Sequence, residues 1–183
     1  MVFSRRPSAL AVGLHLRGAV RRGGLVAAAA DGLKTAHNQP MYQPSQHDVR
    51  RFFCETWRKQ TAGLPLTPME CMAADWISQH PEYHADLSDL DAALAASFSV
   101  EDGKTNPFLH LSMHLSITEQ CSIDQPTGIR QAVGLLASRR GSLHAAQHEV
   151  MESLGEMVWA SQRSGLPPDG HAYIDAVRRR ATG

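Results

Sequence analysis

From Met41 onward, apolar positions recur at helical spacing between clear stop and start signals. Ser45, with Asp48 three residues later, opens a helix that runs to about Gln60 and ends at Gly63 and Pro65. In "TPMEC", Thr67 stands as N-cap, Pro68 at the first helical position and Glu70 at the third. That helix carries Met69, Met72, Ala73, Trp76 and Ile77 on one side and stops before Pro81. "DLSDLDAALAASF" reads as another short helix and "EDGKTNP" as a loop, and Asn106 with Pro107 opens the next helix. A turn at "DQPTG" leads to a helix from about Ile129, and "GLPPDG" precedes a last one, about His171 to Arg180. No stretch alternates like a strand. The pattern predicts an all-α, single-domain bundle of about five helices over residues 41–183.

Two segments place histidine in this apolar frame. "NPFLHLSMHLSI" sets His110 and His114 four apart, and "LHAAQHEVMESL" repeats the spacing at His144 and His148 and adds Glu152. His110, His114, Ile117 and Cys121 share one narrow arc of helix surface. His144, His148, Met151, Gly155 and Val158 share another, with Glu152 on its flank. Both arcs should face the core. Whether the pairs meet depends on "SRRGSLH". A break there, with Gly141 ending one helix and Ser142 capping the next, would make the Pro107 and Ser142 helices parallel. His110 and His144 would then lie level, each in a first turn. An unbroken helix would offset the pairs by about 10 Å at about 1.5 Å per residue. The break is the preferred reading.

Burying an imidazole without a partner costs about 1–3 kcal/mol. A lone buried histidine is commonly structural, bonded to a carbonyl or a carboxylate. Four on helical seams, in two i,i+4 pairs, raise a metal ion as the common partner of neutral rings. The candidate ligands are His110, His114, His144, His148 and Glu152, and such a set suits zinc or iron. "HLSMH" lacks the glutamate that serves as general base in HExxH metalloproteases. No ExxH occurs, which argues against carboxylate-bridged iron of the ferritin type. The spacings His148/Glu152, His110/His114 and His84/Asp89 match those of haemerythrin-like bundles, but in the wrong chain order. His80 and His84 in "HPEYH" read as surface loop residues that could still join the site. Trp57, Trp76 and Trp159 read as core.

Composition changes this picture at one end. Hydrophobic residues make up 43% and charged residues 20% of the 183, ordinary for a globular chain. The formal charge of +0 hides an asymmetry, because Met1 to Pro40 holds six basic residues against Asp31 alone. Residues 1–40 read as a basic, disordered extension or an acid-poor targeting peptide, the extension being preferred. The mildly acidic body argues against nucleic-acid binding. Arg178, Arg179 and Arg180 read as a solvated helix C-terminus. No apolar run of about 18 residues exists to span a membrane. Cys54, Cys71 and Cys121 form no CxxC and read as reduced, mostly buried thiols of a cytoplasmic protein. No Gly-rich phosphate loop and no GxSxG occurs.

The run from "MYQPSQHDVRRFFCETWRK" through "HPEYH", "NPFLHLSMHLSITEQCSIDQPTGI" and "HEVMESLGEMVWASQRSGLPPD" resembles the proteobacterial domain-of-unknown-function 1841 family. The resemblance covers Met41 to about Arg180. It implies a helical domain in a bacterial cytoplasm and supplies no catalytic residues. Two classes of function stay open. One is a metal-binding bundle, as an oxidoreductase or hydrolase; the other is a non-enzymatic interaction or regulatory protein with structurally buried histidines. A protein partner, a homo-oligomer and an unspecified small-molecule substrate are all compatible with the sequence.

Overall fold

The structure is a computed structural model that describes residues 45–98 and 105–183. The basic segment 1–40 and most of the "EDGKTNP" loop lie outside the described residues. Eight α-helices are present among those described, and no strand. They are α1 (Gln46–Thr61), α2 (Pro68–Gln79), α3 (His84–Ser88), α4 (Leu90–Ala95), α5 (Pro107–Ile123), α6 (Ile129–Arg140), α7 (Leu143–Ser164) and α8 (Gly170–Thr182). A 3-10 turn, Pro81–Tyr83, joins α2 to α3.

The start signals act as the sequence implies. Ser45 and Asp48 form a reciprocal capping box on α1, and Thr67 and Glu70 form one on α2. Asn106 accepts from the backbone N–H groups of Phe108 and Leu109, so α5 begins with two of its orphan donors satisfied. Gly141, at φ 69°, ends α6, and the Ser142 hydroxyl caps α7 by accepting from the Ala145 N–H. The long C-terminal segment is therefore broken at Gly141.

The expectation of about five helices is too low. "DLSDLDAALAASF" divides at Asp89, whose side chain accepts from the Ala92 N–H and starts α4 as a separate element. The break at Gly141 adds another division.

Two hydrophobic clusters result, and α5 contributes to both. One, built on α1, α2 and the short helices, gathers Phe53, Trp76, Ile77, Leu87, Phe108, Leu111 and Leu115. The other, on α6, α7 and α8, gathers Ile129, Leu136, Val150, Leu154, Tyr173 and Val177 with Ile117 of α5. The core reading holds for Trp76, which is 4% exposed, but not for Trp159, which is 59% exposed. The Arg163 guanidinium, one turn along α7, lies over the Trp159 ring in a cation–π contact on the outer face. The thiols are free, with Cys54 buried, Cys121 half-buried and Cys71 exposed. Cys71 therefore departs from the mostly buried pattern. No helix among the described residues is long and apolar enough to cross a membrane.

Candidate metal centre

Five histidines meet where the two clusters adjoin. His110 and His114 come from α5, His144 and His148 from α7, and His80 from the residue that ends α2. The rings of His80, His114 and His148 each lie 4.5–5.7 Å, centroid to centroid, from every other member of the group. The Nε2 atoms turn toward one another. His80 Nε2 is 2.9 Å from that of His114 and 3.1 Å from that of His144, while His110 and His148 stand 3.2 Å apart. One ligand atom from each of His80, His110, His114 and His148 lies within 4.8 Å of the other three.

The helices meet by crossed pairing. Level first turns would set His110 against His144, but His110 pairs with His148, and His114 lies close to both α7 histidines. The two pairs still share one place.

Other side chains fix the rings from behind. His80 Nδ1 faces the Glu82 carboxylate at 2.7 Å, and this bond holds the Glu82 carboxyl below its usual range. An ionised carboxylate only accepts, so the proton of His80 sits on Nδ1. His114 Nδ1 lies 2.8 Å from Gln147 Oε1, while the Gln147 amide donates to Thr118 Oγ1 at 3.2 Å. The Trp76 indole N–H donates to the same hydroxyl at 2.8 Å, and its ring stacks on His114 at 4.1 Å and 11°. With that amide orientation His114 also carries its proton on Nδ1. Both Nε2 lone pairs then face each other.

Burial sets the protonation of the group. His114 is fully buried, and desolvation pushes it down to about 3 against the favourable Gln147 bond. Desolvation and then the neighbouring His80 bring His110 down to about 4. His144 and His148 are lowered as well, by desolvation first. These four rings are neutral near pH 7 and offer lone pairs, the form a metal takes. Exposure rises across the site. His80 and His114 form a buried floor, His110 and His144 are half-buried, and His148 is exposed.

Of the four histidines read from the sequence, His110, His114 and His148 thus join His80 in one group, His144 meets that group at His80 Nε2, and the fifth candidate stands apart. Glu152 pairs with Arg180 of α8 at 2.8 Å, its side chain 64% exposed. One turn past His148, it lies on the outer flank of α7. His84 also stands aside, stacked on Trp57 at 4.0 Å, its Nε2 2.9 Å from the Ile77 carbonyl.

The surface reading of His80 is overturned, since only 3% of it is exposed. A signal for it existed. Ala73, Trp76, Ile77 and His80 stand at i, i+3, i+4 and i+7, so His80 continues the buried stripe of α2 by one residue. Glu82, Gln147 and Tyr83 were also missed. Gln147 is buried on α7 beside Met151 and Val150, where only a polar partner across the interface accounts for it.

Fold and site together define an all-α protein in which four close histidines, His80, His110, His114 and His148, could hold a metal ion, with His144 beside them at His80. The chain belongs to the family described as Domain of unknown function (DUF1841), whose family model matches residues 45–179. No curated protein and no solved structure matches it.

Proposed function

We propose that this protein is a metalloprotein whose centre binds one divalent first-row ion, zinc or iron, through His80, His110, His114, His144 and His148. The observation that carries the reading is the double contact at His80 Nε2, which faces two other Nε2 atoms at 2.9 and 3.1 Å. One ring nitrogen has a single lone pair or a single proton and can serve only one of them. A cation between the rings serves all. Ligands at about 2.0–2.1 Å from an ion stand about 2.9 Å apart at a right angle and about 3.3 Å in a tetrahedron. The three Nε2 contacts fall in that range. Glu82 and Gln147 then occupy the place of outer partners that take the second ring N–H and fix the tautomer.

A metal-free network is the rival reading. Turning the Gln147 amide over would let Thr118 donate to Gln147, Gln147 to His114 Nδ1, and His114 Nε2–H to His80. That chain satisfies one contact of His80 and leaves the one to His144 unserved. It corresponds to a non-enzymatic interaction or regulatory protein with buried histidines. The half-exposed rim suits a centre that meets small molecules, as a hydrolase or oxidoreductase requires, because a catalytic ion keeps a position open.

Element analysis of the purified chain, with and without prior dialysis against a chelator, tests the reading. One equivalent of zinc or iron, removed by chelator and regained on reloading, is expected. His114→Ala and His80→Ala should each abolish uptake, and the double variant should lose nothing further, since one site is broken twice. Wild-type protein that takes up no ion after reloading would leave the metal-free network standing.

A further inference from the structure

We infer that the ion in this centre keeps one exchangeable position, facing the His148 rim, and that this position takes a small anion. This deepens the metal reading and rests on it. Three observations support it.

The first is charge. Every ring in the cluster is an imidazole, and no carboxylate lies among the facing Nε2 atoms. Glu82 spends its carboxylate on His80 Nδ1, Glu149 on Arg140 and Glu152 on Arg180. Neutral ligands leave a divalent ion its full charge, and the ion becomes the dominant charge of the site. The floor around it is apolar or neutral, with Trp76 stacked on His114 and the Tyr83 ring stacked on His80 at 5.2 Å. Even with the Glu82 carboxylate behind His80, a divalent ion leaves the site a net positive charge, which favours an anionic ligand over water.

The second is ligand number. One donor atom from each of His80, His110, His114 and His148 lies within 4.8 Å of the other three. His144 adds a further donor through its contact with His80. More donors than the four of a closed tetrahedral site suit a larger shell, in which one position stays with a ligand from outside the chain.

The third is direction and size. His80 and His114 close the floor, so the open side of the cluster lies toward the half-buried His110 and His144 and the exposed His148. His144 and His148 are 4.5 Å apart, His110 and His148 5.1 Å, and Tyr83 borders His110 at 5.6 Å. Rings packed this closely restrict the position to a ligand of few atoms, and the class is a small monoanion such as azide or cyanide.

Cobalt(II) is the probe, loaded into chelator-stripped full-length protein and followed by its visible bands during titration with azide, with perchlorate as the ionic-strength control. A saturable band shift with azide and none with perchlorate is expected. His148→Glu, which places a carboxylate at the rim, should retain cobalt and weaken azide binding roughly tenfold or more by neutralising the ion. Stoichiometric cobalt whose bands ignore azide, or respond equally to perchlorate, would overturn this inference and leave the metal reading intact. Failure to take up cobalt at all would overturn both. Unchanged azide affinity in a cobalt-loaded His148→Glu protein would refute the charge argument.

Discussion

At the scale of single residues, Gln147 carries more than its position on α7 suggests. It is 2% exposed and links His114 to Thr118, and through that hydroxyl to Trp76. Its acceptor fixes which nitrogen of His114 holds the proton, and so whether Nε2 can bind an ion. Gln147→Leu keeps much of the volume and removes that acceptor. Metal affinity should fall about 10–100-fold, the usual effect of losing an outer partner. Gln147→Glu, which keeps an acceptor at the same reach, should retain it. Competition titration against a chromophoric chelator measures both; equal affinity in Gln147→Leu and wild type would dissociate this residue from the centre. His114 makes a second prediction, for chelated protein. Its folded value of about 3 lies below the ordinary value of 6.5, so the unfolded chain binds the proton first as pH falls. Stability is full above about pH 6.5 and is lost on acidification toward pH 3, at up to about 1.4 kcal/mol per pH unit for one such group. Urea midpoints across that range should fall for wild type and fall less steeply for His114→Gln. Parallel profiles for the two proteins would show that His114 titrates alike folded and unfolded.

At the scale of elements, the turn between α6 and α7 decides whether the two histidine helices can meet. Gly141 holds φ at 69°, a region costly for residues with a Cβ, and a Cβ built there would meet nothing within 4 Å. Gly141→Ala should therefore cost about 1 kcal/mol from backbone conformation alone. Gly134 provides the contrast. It lies inside α6, where an added Cβ also meets nothing within 4 Å, so Gly134→Ala should stabilise by about 0.5–1 kcal/mol. Urea unfolding with unchanged m-values measures the pair; the same sign for both would refute the backbone argument.

This turn also marks how far local signals reach. The caps at Ser45, Thr67, Asn106 and Ser142 are short-range chemistry, and all four were legible because each is complete within a few residues. The seams of α5 and α7 were legible as periodicity. The crossed pairing of those helices was not, because no local pattern states how two helices cross. His80 was hidden for a related reason. It sits at the residue that ends α2, where Pro81 suggested a loop, and its burial comes from α5 and α7, more than thirty residues away. Glu152 failed in the opposite direction: one helical turn placed it near the seam, but Arg180 of α8 draws it outward.

At the scale of the whole molecule, the histidine cluster and the Trp76–Thr118–Gln147 bonds beside it join side chains of α5 and α7 to those of α2 and its C-cap His80. Hydrophobic packing already joins α5 to both clusters, but α2 belongs to one and α7 to the other. An ion held by His80, His110, His114, His144 and His148 would therefore tie the two clusters together through bonds that unfolding must break. Binding to the folded state alone stabilises by about 2.7 kcal/mol at a free-ion concentration one hundred times Kd. For a chain of this size each kcal/mol moves Tm by about 2–4 °C, so chelation should lower it by roughly 5–11 °C. The loss should also be uneven along the chain. Amide exchange in chelated protein should quicken most at the end of α2 and in the 3-10 turn Pro81–Tyr83, whose hold on α5 and α7 runs largely through His80. The amides of α8, which packs mainly on α6 and α7, should change least. A chelator effect spread evenly over α2 and α8, or no change in Tm at all, would mean that the two clusters are joined by packing alone.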